Sequence, residues 1–258
     1  MKVLITGAAN GIGEATTEKL LEKEIEVIAV DNDKDALKEL PDAVKTYECD
    51  VRNENEVQDL VGGLEFDVLV NCAGFYELGA VADVSSDTAE KMIDTNFHGY
   101  LNLIRHSMET LRDSDGRVVN VSSIAGRVST LYFGVYSASK HAVEAMSDAL
   151  RMEEAQNNVD VVIVEPGPVK TGFNHRARMA LEKYVPDSVY SERYRKKLES
   201  EGMTGSTPEE AAETMVKAIT DKNPKRRYKV RARDALAIKL KQLLPEALWD
   251  RILLKLFY

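Results

Sequence analysis

A glycine-rich turn directly after the first apolar run constrains the fold more than any other feature of the chain. Residues 3–5 read as a short buried strand, residues 6–13 as the turn, and the apolar spacing from residue 12 onward as a helix. Glycines at such a turn let the backbone approach a phosphate, and free N–H groups at the helix N-terminus favour its negative charge. The spacing G-x-x-x-G-x-G differs from the common G-x-G-x-x-G, but the strand–turn–helix context is the same. The turn residues that we expect to contact a dinucleotide are Gly7, Asn10, Gly11, Ile12 and Gly13.

Apolar runs alternate with helical patterns along the rest of the chain. A second run ends at Asp31, and further runs end near residues 51, 71, 121 and 164. Continuous Val/Ile/Leu runs are typical of strands that a parallel sheet buries on both faces. The longest helical patterns cover about 86–112 and 134–157. The sequence therefore predicts an α/β fold, a doubly wound, Rossmann-like parallel sheet of about seven strands with helices on both faces.

Asp31 is the candidate residue for distinguishing the two nicotinamide cofactors. It ends the second strand, 18 residues after Gly13. A carboxylate there can accept hydrogen bonds from the adenosine ribose and repel a 2′-phosphate, so we expect NAD, with NADP the less favoured cofactor. Lys34 is the nearby cation that would weaken this preference. The alternative is that Asp31 is an ordinary turn aspartate.

Tyr136 and Lys140 are the candidate acid/base pair. On a helix, residues four apart share a face, so a phenol and an ammonium at these positions can act on one site. A free tyrosine ionises near pH ~10, and a fixed cation brings its pKa toward neutrality. Taken alone, Y-x-x-x-K is common on solvated helix faces. Ser123 strengthens the interpretation because it follows a core strand, at the edge of a parallel sheet where ligands bind.

Several further motifs stand in a fixed order, and the sequence resembles the short-chain dehydrogenase/reductase superfamily in its short, single-domain form over residues 1–230. The interval of 13 residues before Tyr136 fits the family and selects Ser123 over Ser122. The last third resembles more loosely the branch with 17β-hydroxysteroid and retinol dehydrogenases. The remaining motifs behind the resemblance are Cys49-Asp50-Val51, Asn71-Cys72-Ala73-Gly74, Asn96 and Pro166-Gly167-Pro168-Val169-x-Thr171.

The resemblance implies a role for each catalytic candidate. Tyr136 would be the general acid/base, and Lys140 would lower its pKa and hold the nicotinamide ribose. Ser123 would position the substrate oxygen, and Asn96 would hold a water that extends the proton relay to solvent.

The resemblance also implies contacts for the cofactor. Asp50 and Val51 would line the adenine, and Cys72 stands where the family often has asparagine. Asn71 and Cys72 have an alternative role as plain packing residues at a strand end. The other cofactor contacts implied by the resemblance are Asn71, Ala73 and Gly74 at the adjoining ribose, and Pro166, Gly167, Val169 and Thr171 at the nicotinamide.

Composition excludes several classes of function. The net charge of -9 disfavours nucleic-acid binding. Two cysteines and four scattered histidines predict neither a disulfide scaffold nor a metal site. Apolar runs stay short of the ~18 residues of a transmembrane helix, and the chain enters the glycine motif at once, so we expect a cytoplasmic protein.

The sequence thus predicts an oxidoreductase that acts on a small apolar alcohol or ketone. The alternatives are a cofactor-sensing scaffold protein without turnover and an NADP-linked carbonyl reductase. An enoyl reductase fits less well because these enzymes space Tyr and Lys more widely. A sugar epimerase fits less well because epimerases carry a longer substrate domain. The resemblance implies a homodimer or homotetramer, built on the two long helices.

Two segments stand apart from the sheet pattern. Within a catalytic domain of residues 1–231, we expect 172–205 to form a mobile flap over an apolar pocket, or else a rigid surface helix pair. Residues 232–258 form a basic, amphipathic tail. From Lys225 onward the chain carries +7, which leaves -16 for the rest. The tail is expected either to contact a membrane surface or to pack on the body or a sister subunit. The flap's candidate pocket residues are Phe173, Met179, Leu181 and Tyr184.

Overall fold

All seven strands of the computed structural model, which describes residues 1–199 and 205–257, lie in one parallel sheet. Their order is β3-β2-β1-β4-β5-β6-β7, so the winding reverses between β1 and β4. This confirms the predicted doubly wound α/β fold. The strands are β1 (Lys2–Thr6), β2 (Glu26–Asp31), β3 (Lys45–Glu48), β4 (Val68–Asn71), β5 (Arg117–Val121), β6 (Asp160–Glu165) and β7 (Arg227–Lys229).

Successive side chains of the strands enter two different cores. In β1, Val3 and Ile5 belong to the core on one face of the sheet, and Leu4 belongs to the core on the other. Because side chains alternate along a strand, a strand covered on both faces must be apolar at every position. This explains the unbroken Val/Ile/Leu runs of the sequence.

Helices cover both faces of the sheet. α1 packs against α9 on one face, and α3 packs against α5 on the other. The helices are α1 (Gly11–Leu21), α2 (Lys34–Leu37), α3 (Glu54–Val61), α4 (Ser86–Ile93), α5 (Gly99–Asp113), α6 (Gly134–Glu153), α7 (Gly172–Met179), α8 (Ser191–Glu199), α9 (Pro208–Thr220), α10 (Ala232–Leu243) and α11 (Glu246–Phe257).

Three element boundaries differ from the sequence prediction. The helix expected over 86–112 is divided by a π-helical turn, Asp94–His98. The helix expected to reach residue 157 ends at Glu153, shortly before Asn158 takes a left-handed φ of 57°. The third strand ends at Glu48 rather than near residue 51, because the Asp50 carboxylate accepts the backbone N–H of Arg52 and closes a turn.

The flap and the tail are both largely helical. The flap contains α7, a 3-10 turn and α8, and its residues 200–204 lie outside the described part of the chain. The tail consists of α10 and α11, which bury Ile238 and Trp249 against Val128. Among the described helices, none is long and apolar enough to cross a membrane.

Candidate active site

The glycine turn is shaped so that side chains are excluded where the backbone must come close to a ligand or a strand. Gly7 and Gly11 have left-handed φ angles of 65° and 61°. A Cβ on Gly7 would lie 2.8 Å from the Ala73 Cα, and one on Gly13 would lie 2.0 Å from the Gly7 carbonyl oxygen. Asn10 occupies the N-cap position of α1 with extended backbone, and its side chain makes no capping hydrogen bond. The turn therefore offers the N-terminus of α1 to a pyrophosphate, as glycines in a dinucleotide-binding turn do.

Asp31 lies at the end of β2, beside the glycine turn. Its carboxylate accepts the backbone N–H groups of Ala9 at 3.1 Å and Asp33 at 3.1 Å. The nearby cation Lys34 is paired with Glu48 at 2.9 Å. The structure therefore holds the carboxylate of Asp31 at the edge of the turn. The neighbouring cation, Lys34, is paired with Glu48 instead of with Asp31.

The two residues expected at the adenine differ in their surroundings. Asp50 forms an ion pair with Arg52, which holds the pKa of its carboxyl below its usual range. Val51 is buried, and its carbonyl oxygen accepts the amide of Asn102 at 3.1 Å. The Val51–Asn102 hydrogen bond thus holds this turn against α5, and the adenine contacts stay a prediction.

Ser123 and Tyr136 meet at the end of β5. The Ser123 hydroxyl accepts the N–H of Ala125 at 3.1 Å, which fixes it at the start of a 3-10 turn. Burial raises the pKa of Tyr136 to about 12, and the hydrogen bond with Ser123 acts in the opposite direction. The phenol therefore holds its proton at neutral pH in this arrangement.

Lys140 lies one turn after Tyr136 but bonds elsewhere. Its ammonium donates to the Val121 carbonyl at 2.8 Å and to the Tyr100 hydroxyl at 3.3 Å. Burial lowers the pKa of Lys140 to about 8. The sequence led us to expect that Lys140 lowers the pKa of Tyr136. In the structure, burial has the larger effect and raises that pKa.

Tyr100 is the residue near the site that the sequence analysis missed. It is fully buried, and its hydroxyl donates to the same Val121 carbonyl at 3.1 Å. Its position four residues after Asn96 was the available signal, since both then lie on one helix face. Only the packing of α5 across β5 shows that this face meets Lys140.

Asn96 joins three parts of the site within the π-helical turn. Its side chain accepts the N–H of Phe75 at 2.9 Å, donates to the Phe75 carbonyl at 2.9 Å and donates to Ser139 at 3.1 Å. A Cβ on Gly74 would lie 2.8 Å from the Asn96 amide oxygen, so a larger residue there would have to displace the Asn96 side chain. π-helical turns interrupt α-helices frequently at functional sites. The side chain is engaged with protein atoms, and the expected water stays a prediction.

Asn71 and Cys72 fit the packing alternative considered from the sequence. Asn71 is fully buried and its amide donates to Asn120 of the neighbouring strand at 2.8 Å. Burial raises the pKa of the Cys72 thiol to about 11. The backbone N–H groups of Cys72 and Ala73 both donate to Thr6 at 3.2 Å. These contacts tie the ends of β1 and β4 together at the point where the winding reverses.

The loop after β6 completes the edge. The Pro166 carbonyl accepts the Ser123 hydroxyl at 3.4 Å, and Thr171 lies opposite the glycine turn, 3.3 Å from a Cβ on Gly11. Gly167 packs against the buried carboxylate of Asp234 from α10, where a Cβ would come within 2.6 Å of an oxygen. The tail therefore supports the loop expected at the nicotinamide, a contact that the sequence did not indicate.

An aromatic wall surrounds Tyr136. The ring of Tyr76 lies 4.8 Å from that of Tyr136, 4.9 Å from Phe173 and 5.6 Å from Phe133, measured between centroids. The Tyr76 hydroxyl donates to Asn174 of α7 at 2.6 Å. The flap therefore packs against this edge through Phe173, and Leu181 and Tyr184, but not Met179, belong to the same apolar cluster. Its mobility and its role over a substrate pocket stay predictions.

The strand ends thus bring the predicted catalytic residues and the glycine turn to one edge. Among the described residues, no group of three His, Cys, Asp or Glu side chains is arranged to hold a metal ion. The fold and this edge define a dinucleotide-binding oxidoreductase site of the Ser-Tyr-Lys kind.

Comparison with known proteins identifies the family. The short chain dehydrogenase profile matches residues 1–182. A probable short-chain type dehydrogenase/reductase VdlC of Helicobacter pylori is 33% identical, with 96% of this chain and 95% of the relative aligned. The chain belongs to the short-chain dehydrogenase/reductase family, which uses nicotinamide cofactors.

Two other relatives carry more specific names. An NADPH-dependent 3-dehydrocapnine reductase of Ornithobacterium rhinotracheale is 31% identical, over 99% of this chain and 95% of its own. A 3-ketodihydrosphingosine reductase of Bacteroides thetaiotaomicron is 30% identical, over 99% of this chain and 97% of its own.

Solved structures share the fold with either cofactor bound. The closed form of serine dehydrogenase with NADP+ is 26% identical, with a TM-score of 0.77, and 89% of this chain and 94% of that one are covered. A short chain dehydrogenase/reductase of Burkholderia phymatum with NAD is 22% identical, also at a TM-score of 0.77, with 93% and 92% covered.

Proposed function

We propose that the protein interconverts a secondary alcohol and a carbonyl compound, with Tyr136 exchanging the proton on the substrate oxygen. A nicotinamide dinucleotide at the glycine turn supplies the hydride acceptor or donor. The observation that carries the proposal is that the buried phenol of Tyr136 lies beside Ser123, at the same sheet edge as that turn. Ligands of doubly wound folds bind at such an edge.

Tyr136, Ser123 and Lys140 have separate roles in the proposed reaction. In the reductive direction Tyr136 donates its proton to the carbonyl oxygen, and its raised pKa keeps that proton available at neutral pH. Ser123 holds the same oxygen by a hydrogen bond. Lys140 uses two of its three N–H groups on Val121 and Tyr100, which leaves the third for a ribose hydroxyl. In the oxidative direction the phenol must first lose its proton, so that direction depends more strongly on pH.

The preferred cofactor in this proposal is NAD. Asp31 fixes a carboxylate beside the turn, where it disfavours a 2′-phosphate. Lys34, the neighbouring cation, is engaged with Glu48. One relative is named as NADPH-dependent, and this supports a second candidate for the present chain, an NADP-linked carbonyl reductase.

The proposed substrate is apolar. The aromatic wall of Tyr76, Phe133 and Phe173 gives Tyr136 apolar surroundings that suit a hydrocarbon chain or ring. The relatives named for 3-dehydrocapnine and 3-ketodihydrosphingosine support a lipid-like ketone. The homodimer or homotetramer expected from the family stays a prediction.

A substrate panel tests the proposed reaction. Long-chain ketones and secondary alcohols are offered with NAD(H) and with NADP(H), and turnover is followed by nicotinamide absorbance. Tyr136→Phe should lose about 10²–10⁴-fold in kcat, the usual contribution of general acid/base catalysis, and keep its cofactor affinity. Tyr47→Phe, on β3 at the far edge of the sheet, is the matched control and should behave as wild type.

Two outcomes would contradict the proposal. Tyr136→Phe within about tenfold of wild type would remove Tyr136 as the acid/base. Tight cofactor binding without turnover of any compound in the panel would instead favour the cofactor-sensing scaffold protein.

A further inference from the structure

The tail buries one side of its two helices and leaves another side open. Ile238 and Trp249 are buried in a small core with Val128, and Leu253 packs against it. Leu236 and Leu243 remain 57% and 80% exposed. Packing on the body therefore accounts for only part of the apolar surface of the tail. The exposed leucines of the described chain all belong to it, and they are Leu236, Leu240, Leu243, Leu248 and Leu254.

The open side of α10 is a regular stripe. Leu236, Lys239, Leu240 and Leu243 follow the spacing i, i+3, i+4, i+7, which places them on one helix face. Ile238 lies on the opposite side, facing the body. A stripe of leucines around an exposed lysine is an unpartnered amphipathic face.

The open side of α11 repeats the pattern. Leu248, Arg251, Ile252 and Lys255 have the same spacing, and only Ile252 is half-buried. The acidic residues of this helix, including Asp250, fall about 160–200° away from Leu248 at 100° per residue. Cations therefore flank Leu248, and acids do not.

The charges of the two stripes are available for an external partner. Within the described residues, Lys239, Arg251 and Lys255 take part in none of the ion pairs. They belong to a segment that carries +7 in a chain whose remainder carries -16. Exposed leucines beside unpaired cations complement a surface that is apolar below and anionic above.

We propose that this leucine–lysine face of α10 and α11 docks on the surface of an anionic lipid bilayer. The apolar stripe would enter the boundary between headgroups and acyl chains, and Lys239, Arg251 and Lys255 would lie among the headgroups. α10 packs on the turn after Ser123 through Ile238 and supports Gly167 through Asp234. Docking would hold the catalytic edge close to the membrane surface, where apolar substrates concentrate.

Vesicle co-sedimentation of the full chain tests this surface without any need for turnover. The probes are vesicles of phosphatidylcholine alone and of phosphatidylcholine mixed with phosphatidylglycerol. Wild type should pellet with the mixed vesicles only, and added salt should release it. For the triple variant Lys239→Gln/Arg251→Gln/Lys255→Gln, the partition coefficient onto the mixed vesicles should fall about fivefold for each charge removed. Lys23→Gln/Lys217→Gln/Lys222→Gln, with the same charge change at exposed positions elsewhere, is the control and should lose much less.

The apolar part of the face has its own variant. Leu240→Ser/Leu243→Ser should reduce pelleting at least tenfold while its melting temperature stays near that of wild type, since both side chains are exposed. Unchanged pelleting of this variant would leave only diffuse charge attraction and would overturn the proposal. Failure of wild type to pellet would also overturn it. If the same leucines instead hold a concentration-dependent dimer in sedimentation velocity, a second copy of the chain covers the face and the membrane proposal is wrong.

Discussion

The ammonium of Lys140 and the hydroxyl of Tyr100 lie 3.3 Å apart, and both donate to the carbonyl of Val121. The lysine nitrogen also lies 5.0 Å from the centroid of the Tyr100 ring. A long, flexible side chain is thus held at a single place beneath the catalytic edge. In the proposed reaction Tyr100 is a positioning residue, because its hydroxyl contacts the ammonium of Lys140.

Tyr100→Phe should lower kcat by about tenfold and leave the fold intact. The ring is kept, while the ammonium loses one hydrogen-bond partner, and a hydrogen bond to a charged group contributes about 1.5–3 kcal/mol. Steady-state kinetics measured across a range of pH test this effect. The pH dependence of kcat should shift in the variant, in addition to the fall in the value of kcat. Tyr228→Phe is the control, since its buried hydroxyl donates to Asp221 at 2.7 Å far from the site. An equal loss of activity in both variants would show that the effect is only structural.

The pH dependence of stability should report the buried charge of Lys140. Burial lowers the pKa of this lysine from 10.5 to about 8. Below pH 8 the lysine is charged in both the folded and the unfolded chain, so its cost to stability is constant. Between pH 8 and 10.5 the unfolded chain binds more protons, so the free energy of unfolding rises with pH. The full change for one such group is about 3 kcal/mol.

Urea unfolding of wild type and of Lys140→Met measures this dependence. The difference in unfolding free energy between the two should move in favour of wild type as the pH rises from 8 to 10. Tyr136 acts in the opposite sense at higher pH, because its pKa is raised to about 12 and its contribution is lost between about pH 10 and 12. A difference that stays flat between pH 8 and 10 would contradict the lowered pKa of Lys140.

The sequence predicted those parts of the site that depend on local geometry. The glycine turn is a strand, a turn and a helix in succession, and Tyr136 and Lys140 are joined by one helical turn. Neither needs knowledge of distant packing. The contact of Lys140 with Tyr100 and the contact of Gly167 with Asp234 join residues 40 and 67 positions apart. Such contacts depend on how helices settle on the sheet, which periodicity does not determine.

The direction of the Tyr136 pKa could not be predicted from the sequence for a related reason. The sequence shows the spacing to one cation, Lys140, whereas the structure also shows burial of the phenol against Tyr76 and Phe133. Desolvation favours the neutral phenol and here outweighs the effects that lower its pKa. The spacing of Tyr136 and Lys140 in the sequence predicts that they lie close together. It does not predict how deeply they are buried, and burial sets the dielectric around them.

Asp31→Ala should narrow the preference for NAD over NADP. Under the proposed function, removal of the carboxylate would end its repulsion of a 2′-phosphate and the hydrogen bonds proposed to the ribose, an effect of about 1–3 kcal/mol. The ratio of kcat/KM for the two cofactors measures this. Asp35→Ala is the control, because it removes the same charge from the exposed side of α2, where Asp35 pairs with Lys38. Equal use of both cofactors by wild type would contradict the assignment of Asp31.

A partly buried ion cluster fixes the C-terminal half of α6. Arg227 of β7 donates to Glu144 of α6 at 3.0 Å and to Asp148 at 2.8 Å, and it lies 3.6 Å from Glu165. Glu165 is fully buried and directly precedes Pro166. Burial raises the pKa of Glu144, and the neighbouring Glu165 adds to that effect. Arg127 and Lys229 each lie 3.2 Å from Glu165 as well, so Arg227 shares with them the task of offsetting two carboxylates that would otherwise repel each other inside the fold.

Arg227→Met should destabilise the protein by about 3 kcal/mol at neutral pH. Removal of one partner of a buried ion pair costs about 3–5 kcal/mol, and we expect the lower end because about a fifth of the arginine side chain is exposed. Thermal or urea unfolding measures the loss, and the loss should shrink at acidic pH as Glu144, whose pKa is raised, takes up a proton. Arg226→Met removes the same charge from the exposed neighbouring residue and should stay within about 0.5 kcal/mol of wild type. Equal destabilisation by the two variants would mean that general charge, rather than this cluster, stabilises the end of α6.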